Sequence, residues 1–160
     1  MQDVKPLIFI DTEFTDFQQP ELISIALVME NGEHFYAECQ DFSKAACSDF
    51  VVETILPLLN RTHSSVVGKT PDIAEKAIAW LRERAPAGFT LAFDYIGDYE
   101  LFLRLMDDRL TIPFEALNIW PQLDESKLNW YFDNYVVPRH HALYDARANR
   151  FAYAPASAGI

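Results

Sequence analysis

Asp11 and Glu13 stand one residue apart at the end of an apolar run, Leu7–Ile10. Side chains alternate along a strand, so both carboxylates leave it on the same face. Two like charges side by side on an apolar strand are costly unless a cation neutralises them. Mg²⁺ or Mn²⁺ suits carboxylate oxygens. A short D-x-E also occurs wherever a strand end meets solvent, so the pair needs company. Asp98 precedes Leu101, Phe102 and Leu105 by three, four and seven residues. That spacing puts an acid on the core-facing stripe of a helix. A first-turn Asp stabilised by the helix dipole is the alternative there. Asp94, in FDYIGD, is the rival to Asp98, although no apolar helical stripe follows it in register. Asp145 shares a helix side with Ala148, Asn149 and Ala152, small residues that allow close approach. His140 lies five residues before it, in the loop feeding that helix. Histidine titrates near neutrality and suits a general base that takes a proton from water. His141 is adjacent, so an ordinary loop histidine is the competing reading. His34 and His63 carry only that ordinary reading.

These residues need elements to hold them. Residues 7–14 read as a buried strand. Residues 21–30 read as a second strand, and Asn31-Gly32, a strong hairpin signal, returns the chain into a third at 33–38. Helical spacing covers 49–59 through Phe50, Thr54, Ile55 and Leu58. Thr70-Pro71 opens a helix to about Ala85, with Thr70 as N-cap. A strand at 89–93, a helix at 98–106, a strand at 118–120, a helix at 124–135 and a last helix at 143–153 complete the order. The expected fold is an α/β domain over residues 1–154, with a mixed central sheet flanked by helices and a frayed tail at 155–160. The sheet combines an antiparallel three-strand meander with parallel strands.

The 160 residues suffice for one domain with its own core, and half of them are hydrophobic. No run approaches the length of a membrane helix. The opening MQDVKPLIFIDTEF makes a poor signal peptide, so a cytoplasmic location is expected. Cys39 and Cys47 stand apart from any Cys/His cluster and read as reduced thiols. A net charge of −11 argues against a broad basic nucleic-acid face. It is compatible with gripping a short strand end through bound cations.

Taken together, DTEF at 11–14 and HHALYDA at 140–146 resemble the DEDDh branch of the DnaQ-like exonucleases, whose fold is ribonuclease H-like. The segments ELISIALVMENGEHFYAE (21–38) and ILPLL (55–59) resemble its small ribonuclease AS-type exoribonucleases, and the likeness spans roughly residues 7–153. One departure stands out: the wider family carries Asn-x-x-x-Asp in its second motif, whereas position 94 here is Asp. The resemblance implies 3′→5′ removal of 5′-mononucleotides from single-stranded RNA, with DNA or a catalytically silent binding homologue as alternatives. It implies two Mg²⁺ or Mn²⁺ ions held by Asp11, Glu13, Asp98 and Asp145, with His140 as base. Asp11 would be shared between the ions, and Glu13 and Asp145 would lie on the nucleophile side. Thr12, Phe14 and Arg139 are the expected substrate contacts; Phe17 is a further stacking candidate and Arg147 a further phosphate contact. A homodimer is expected by the same analogy.

Overall fold

The apolar run beginning at Leu7 forms β1 (Leu7–Phe14), and its position near the middle of the sheet follows from what pairs with each edge. In a computed structural model describing residues 4–62 and 66–155, β2 (Leu22–Met29) pairs antiparallel along one edge of β1. β3 (His34–Cys39) returns antiparallel on β2 through the expected hairpin. Gly32 supplies the positive φ of 90° that this turn requires, and Asn31 Oδ1 accepts from Glu33 N–H. β4 (Val66–Gly68) adds in parallel to β3. On the other edge of β1, β5 (Phe89–Phe93) and β6 (Phe114–Asn118) add in parallel. The order is β4-β3-β2-β1-β5-β6, a mixed six-stranded sheet.

Helices cover both faces. Ile8, Ile10, Ile25 and Leu27 pack with Ile73, Ala77 and Leu81 of α1 (Thr70–Arg84) and with Leu101, Phe102 and Leu105 of α2 (Ile96–Met106). Phe9, Ala26, Val28 and Tyr36 pack on the other face against Ala142, Leu143 and Ala146 of α4 (Ala142–Ala152). Burying each Ile or Leu fully contributes about 1.5–3 kcal/mol. Because both faces of β2 are covered, all eight of its residues are buried, and its sequence is apolar without alternation. α3 (Glu125–Tyr135) is different: it has no fully buried residue and packs on α4. No helix of the described residues is long and apolar enough to cross a membrane.

Four expectations are corrected. The helix over 49–59 is instead a short distorted segment with a π turn at Val51–Ile55 and a 3-10 turn at Leu56–Leu58. Pro57 lacks the amide and crowds the preceding turn, so a regular α-helix cannot pass through it. Val51 and Ile55 face inward while Phe50 is exposed. The strand expected at 118–120 lies at Phe114–Asn118, placed by pairing with β5, and residues 120–122 form a 3-10 turn. Thr70 does not cap α1; Lys69 holds that position, and the Asp41 carboxylate accepts from Thr70 N–H and Oγ1. β4 was not expected at all. His63 and most of the tail, 156–160, lie outside the described residues.

Candidate active site

β1 and β5 run side by side only from Leu7 to Phe9, opposite Thr90 to Ala92. Beyond that point β1 stays paired with β2, so a crevice opens past the C-terminal end of β5. Asp11 and Glu13 emerge here on the face of Phe9, toward α4. Thr12 points the other way and donates from Oγ1 to Asp98 Oδ1 at 2.6 Å. That bond fixes a side chain in the first turn of α2 whose exposure is only 2%. Asp94 follows the last residue of β5. Asp145 comes from the first turn of α4, which the small residues Ala142 and Ala146 let close onto β1 and β2.

Three chain-distant segments therefore bring five carboxylates together. Asp11, Glu13 and Asp145 each place one oxygen within 4.8 Å of the other two, and Asp11, Asp94 and Asp98 form a second such group. Asp11 belongs to both. Burial raises every one of these groups. Asp11 lies well above the usual carboxylate range through burial and then through Asp98, Asp145, Glu13 and Asp94. Burial with Asp145 and Asp98 nearby pushes Glu13 up to about 9. Burial takes Asp98 and Asp145 to about 7, against the lowering effect of hydrogen bonds from Thr12 and from the His140 backbone. Asp94 is raised as well, again chiefly by burial. Asp11 Oδ2 and Asp94 Oδ1 are buried and lack hydrogen-bond partners among the described residues. Repelling, desolvated oxygens aimed at one space suit a hard divalent cation, and the donor set fits Mg²⁺ or Mn²⁺.

The two adjacent histidines part company. His140 is exposed at the mouth of the cleft, with φ 62°, a conformation uncommon outside glycine. Its backbone N–H donates to Asp145 Oδ2 at 3.1 Å, and its ring meets Phe50 edge-on at 5.1 Å. Partial burial, then Arg139, hold its pKa below the ordinary value of 6.5. His141 is 3% exposed, with Tyr36 and Tyr144 ring centroids at 4.9 and 4.5 Å. Burial lowers it to about 4, so it is neutral core packing at physiological pH.

A cleft of about 540 Å³ lies over the carboxylates, lined by Thr12, Phe14, Phe17, Phe50, Tyr95 and His140 among others. Phe14, Phe17 and Tyr95 form a mutual cluster with centroids 5.3–6.1 Å apart. Phe14 is half-buried within it, whereas Phe17 is 77% exposed. A Cβ at Gly97 would collide with the Tyr95 ring, so glycine is what lets that ring fold back toward Phe14. A smaller cavity of about 160 Å³ reaches the same carboxylates past Arg139, Phe132, Leu128 and Asn149. Arg139 is held there by Asn129 at 2.9 Å and by the face of Phe132 at 4.3 Å. Arg147 is elsewhere, half-buried and 3.5 Å from His34 Nδ1. Tyr95, Phe50 and Asn149 escaped the sequence reading. Helical spacing puts Phe50 on an apolar helix face and Asn149 on the Asp145 side of its helix, without assigning either a part in the site.

No protein-family model matches the chain, and no curated protein matches its sequence. Known structures do match. One is the nuclease domain of 3′hExo, a DEDDh family member, bound to rAMP; it is 17% identical, with 93% of this chain and 90% of that chain covered at a TM-score of 0.55. At that identity the likeness is one of fold, and the fold is ribonuclease H-like, as the sequence motifs imply.

Proposed function

We propose that this protein is a divalent-metal-dependent 3′→5′ exonuclease that removes 5′-mononucleotides from single-stranded RNA. The observation that carries the reading is the pair of carboxylate groups sharing Asp11, with a histidine at the cleft mouth, on the scaffold of a DEDDh exonuclease domain. Asp11, common to both groups, would hold cations with Glu13 and Asp145 in one group and with Asp98 in the other. When bound, the cations offset the charge that develops on the phosphate and on the leaving 3′ oxygen.

The chain's own residues divide the remaining work. Phe14, Phe17, Tyr95 and Phe50 offer ring faces and edges on which terminal bases stack. Arg139 stands where a phosphate enters through the smaller cavity. Its partners Asn129 and Phe132 limit its freedom and aim the guanidinium. Thr12 acts through Asp98, to which its hydroxyl is committed. His140, neutral near pH 7, accepts a proton from the attacking water at its free ring nitrogen. The hydroxide attacks the last phosphodiester in line, the P–O3′ bond breaks, and the leaving 3′ oxygen takes a proton from solvent water, so the shortened strand ends in a 3′ hydroxyl. The rAMP in the 3′hExo structure favours a ribonucleotide substrate. The likeness of the sequence to ribonuclease AS-type exoribonucleases favours RNA and a homodimer.

The test is a gel of 5′-labelled single-stranded RNA and DNA oligomers with Mg²⁺, Mn²⁺ or EDTA. The expected result is a one-nucleotide ladder on RNA that EDTA abolishes. A ladder on DNA alone would replace the RNA reading with a DNA exonuclease. Mn²⁺ binding without cleavage of either would replace it with a silent nucleic-acid-binding homologue.

A further inference from the structure

Asp94 is not explained by the four-carboxylate pattern. It does not cap α2, whose N-cap is Tyr95 and carries no side-chain cap bond. It takes part in no ion pair among the described residues. The backbone around Asp94 and Tyr95 favours its charged form, yet burial still raises its pKa, so this half-buried acid gains from a further partner. Its position supplies one. Asp94 leaves the end of β5 where β1 and β5 separate and places an oxygen within 4.8 Å of both Asp11 and Asp98. Its Oδ1 is buried and unpartnered among the described residues. Asp98 has already committed Oδ1 to Thr12 at 2.6 Å, which leaves that side of the site short of free oxygens. Hard divalent cations take about six oxygen ligands, so a further carboxylate there has a use. Asn149, 5% exposed on α4, lines the same small cavity as Asp94 and favours its charged form. Such outer partners commonly orient metal ligands.

We infer that Asp94 is a fifth carboxylate ligand, serving the cation on the Asp11–Asp98 side and oriented by Asn149. The inference rests on reading the cleft as a cation site, but it departs from the Asn expected at this position in the resembled family. An asparagine would offer one neutral oxygen. The aspartate adds a full negative charge, so five carboxylates face the four positive charges of two divalent ions. This side of the site should therefore hold its cation more tightly than an Asn version of the same chain.

Titration calorimetry with Mn²⁺ alone, on the full chain, tests this without any nucleic acid. Asp94→Asn should keep the fold, and its metal-free melting temperature should equal or exceed the parent's because a buried repulsive charge is gone. One Mn²⁺ site should weaken about tenfold or more, while the other stays within about twofold of the parent. Asn149→Ala should shift the same site in the same direction by less. Two sites of parental affinity in Asp94→Asn would overturn the inference and leave the exonuclease reading intact. A parent that binds no Mn²⁺ would overturn both. A parent that binds Mn²⁺ as described but yields no oligonucleotide ladder would sink only the exonuclease reading.

Discussion

The floor and the rim of the cleft invert the usual distribution of polarity. The floor is acidic and buried: Glu13 is 7% exposed and Asp98 2%. The rim is apolar and open: Phe17 is 77% exposed and Phe50 50%. Folding alone favours neither, because buried charges cost free energy and exposed aromatics forgo burial. The floor is built on the part of β1 paired with β2, on the residue after β5 and on the first turns of α2 and α4, which fix its oxygens against repulsion. The rim stands on the end of β1 and the loop after it, the π turn and the start of α2. A floor of converging carboxylates suits cations and chemistry; an open aromatic rim suits bases of varied identity.

The largest effect should come from breaking the floor. Asp11→Asn removes the carboxylate common to both groups, and cleavage of labelled RNA should fall at least a hundredfold, roughly the loss of a few kcal/mol of charge stabilisation. Circular dichroism should show an unchanged fold. Next, His140→Ala should lower kcat by about 10²–10⁴ while Mn²⁺ affinity measured by calorimetry stays near the parent's. His141→Phe keeps a flat ring between Tyr36 and Tyr144 and should leave kcat almost unchanged; equal losses at the two positions would mean that the wrong histidine has been assigned the proton. On the rim, Phe17→Ala should raise KM about five- to a hundredfold, equivalent to one lost stacking contact of about 1–3 kcal/mol, with little change in kcat. Gly97→Ala, which displaces the Tyr95 ring, should do the same more weakly.

The contrast also explains what was legible in the sequence. Asp11 and Glu13 share a face because strands alternate, and Asp98 is buried because it keeps register with Leu101, Phe102 and Leu105. The hairpin follows from Asn31-Gly32. Such local rules reach most of the floor. They do not reach Asp94 beside Asp98, since the meeting of both with Asp11 depends on where β1 and β5 diverge. β6 was misplaced for the same reason: FEALN has little strand character of its own and is defined by its pairing with β5. Three residues are too few to announce β4. The rim was least readable, because spacing marks Phe50 as apolar without saying whether it faces core or cleft, and the π turn that follows it departs from regular helical spacing.

The central claim is that the buried carboxylates form a site for divalent cations, and thermal melting across pH tests it directly. In the cation-free protein Asp98 and Asp145 lie at about 7 and Glu13 at about 9, against ordinary values of 3.8 and 4.5. Between about pH 4 and pH 9 the folded state thus retains protons that the unfolded chain has lost. Stability then falls as pH rises through this window. In EDTA the melting temperature should be lower at pH 9 than at pH 5. Saturating Mg²⁺ should raise it, by more at pH 8–9 than at pH 5, because cations bind the deprotonated groups. A melting temperature that is flat across the window and indifferent to Mg²⁺ would contradict the claim.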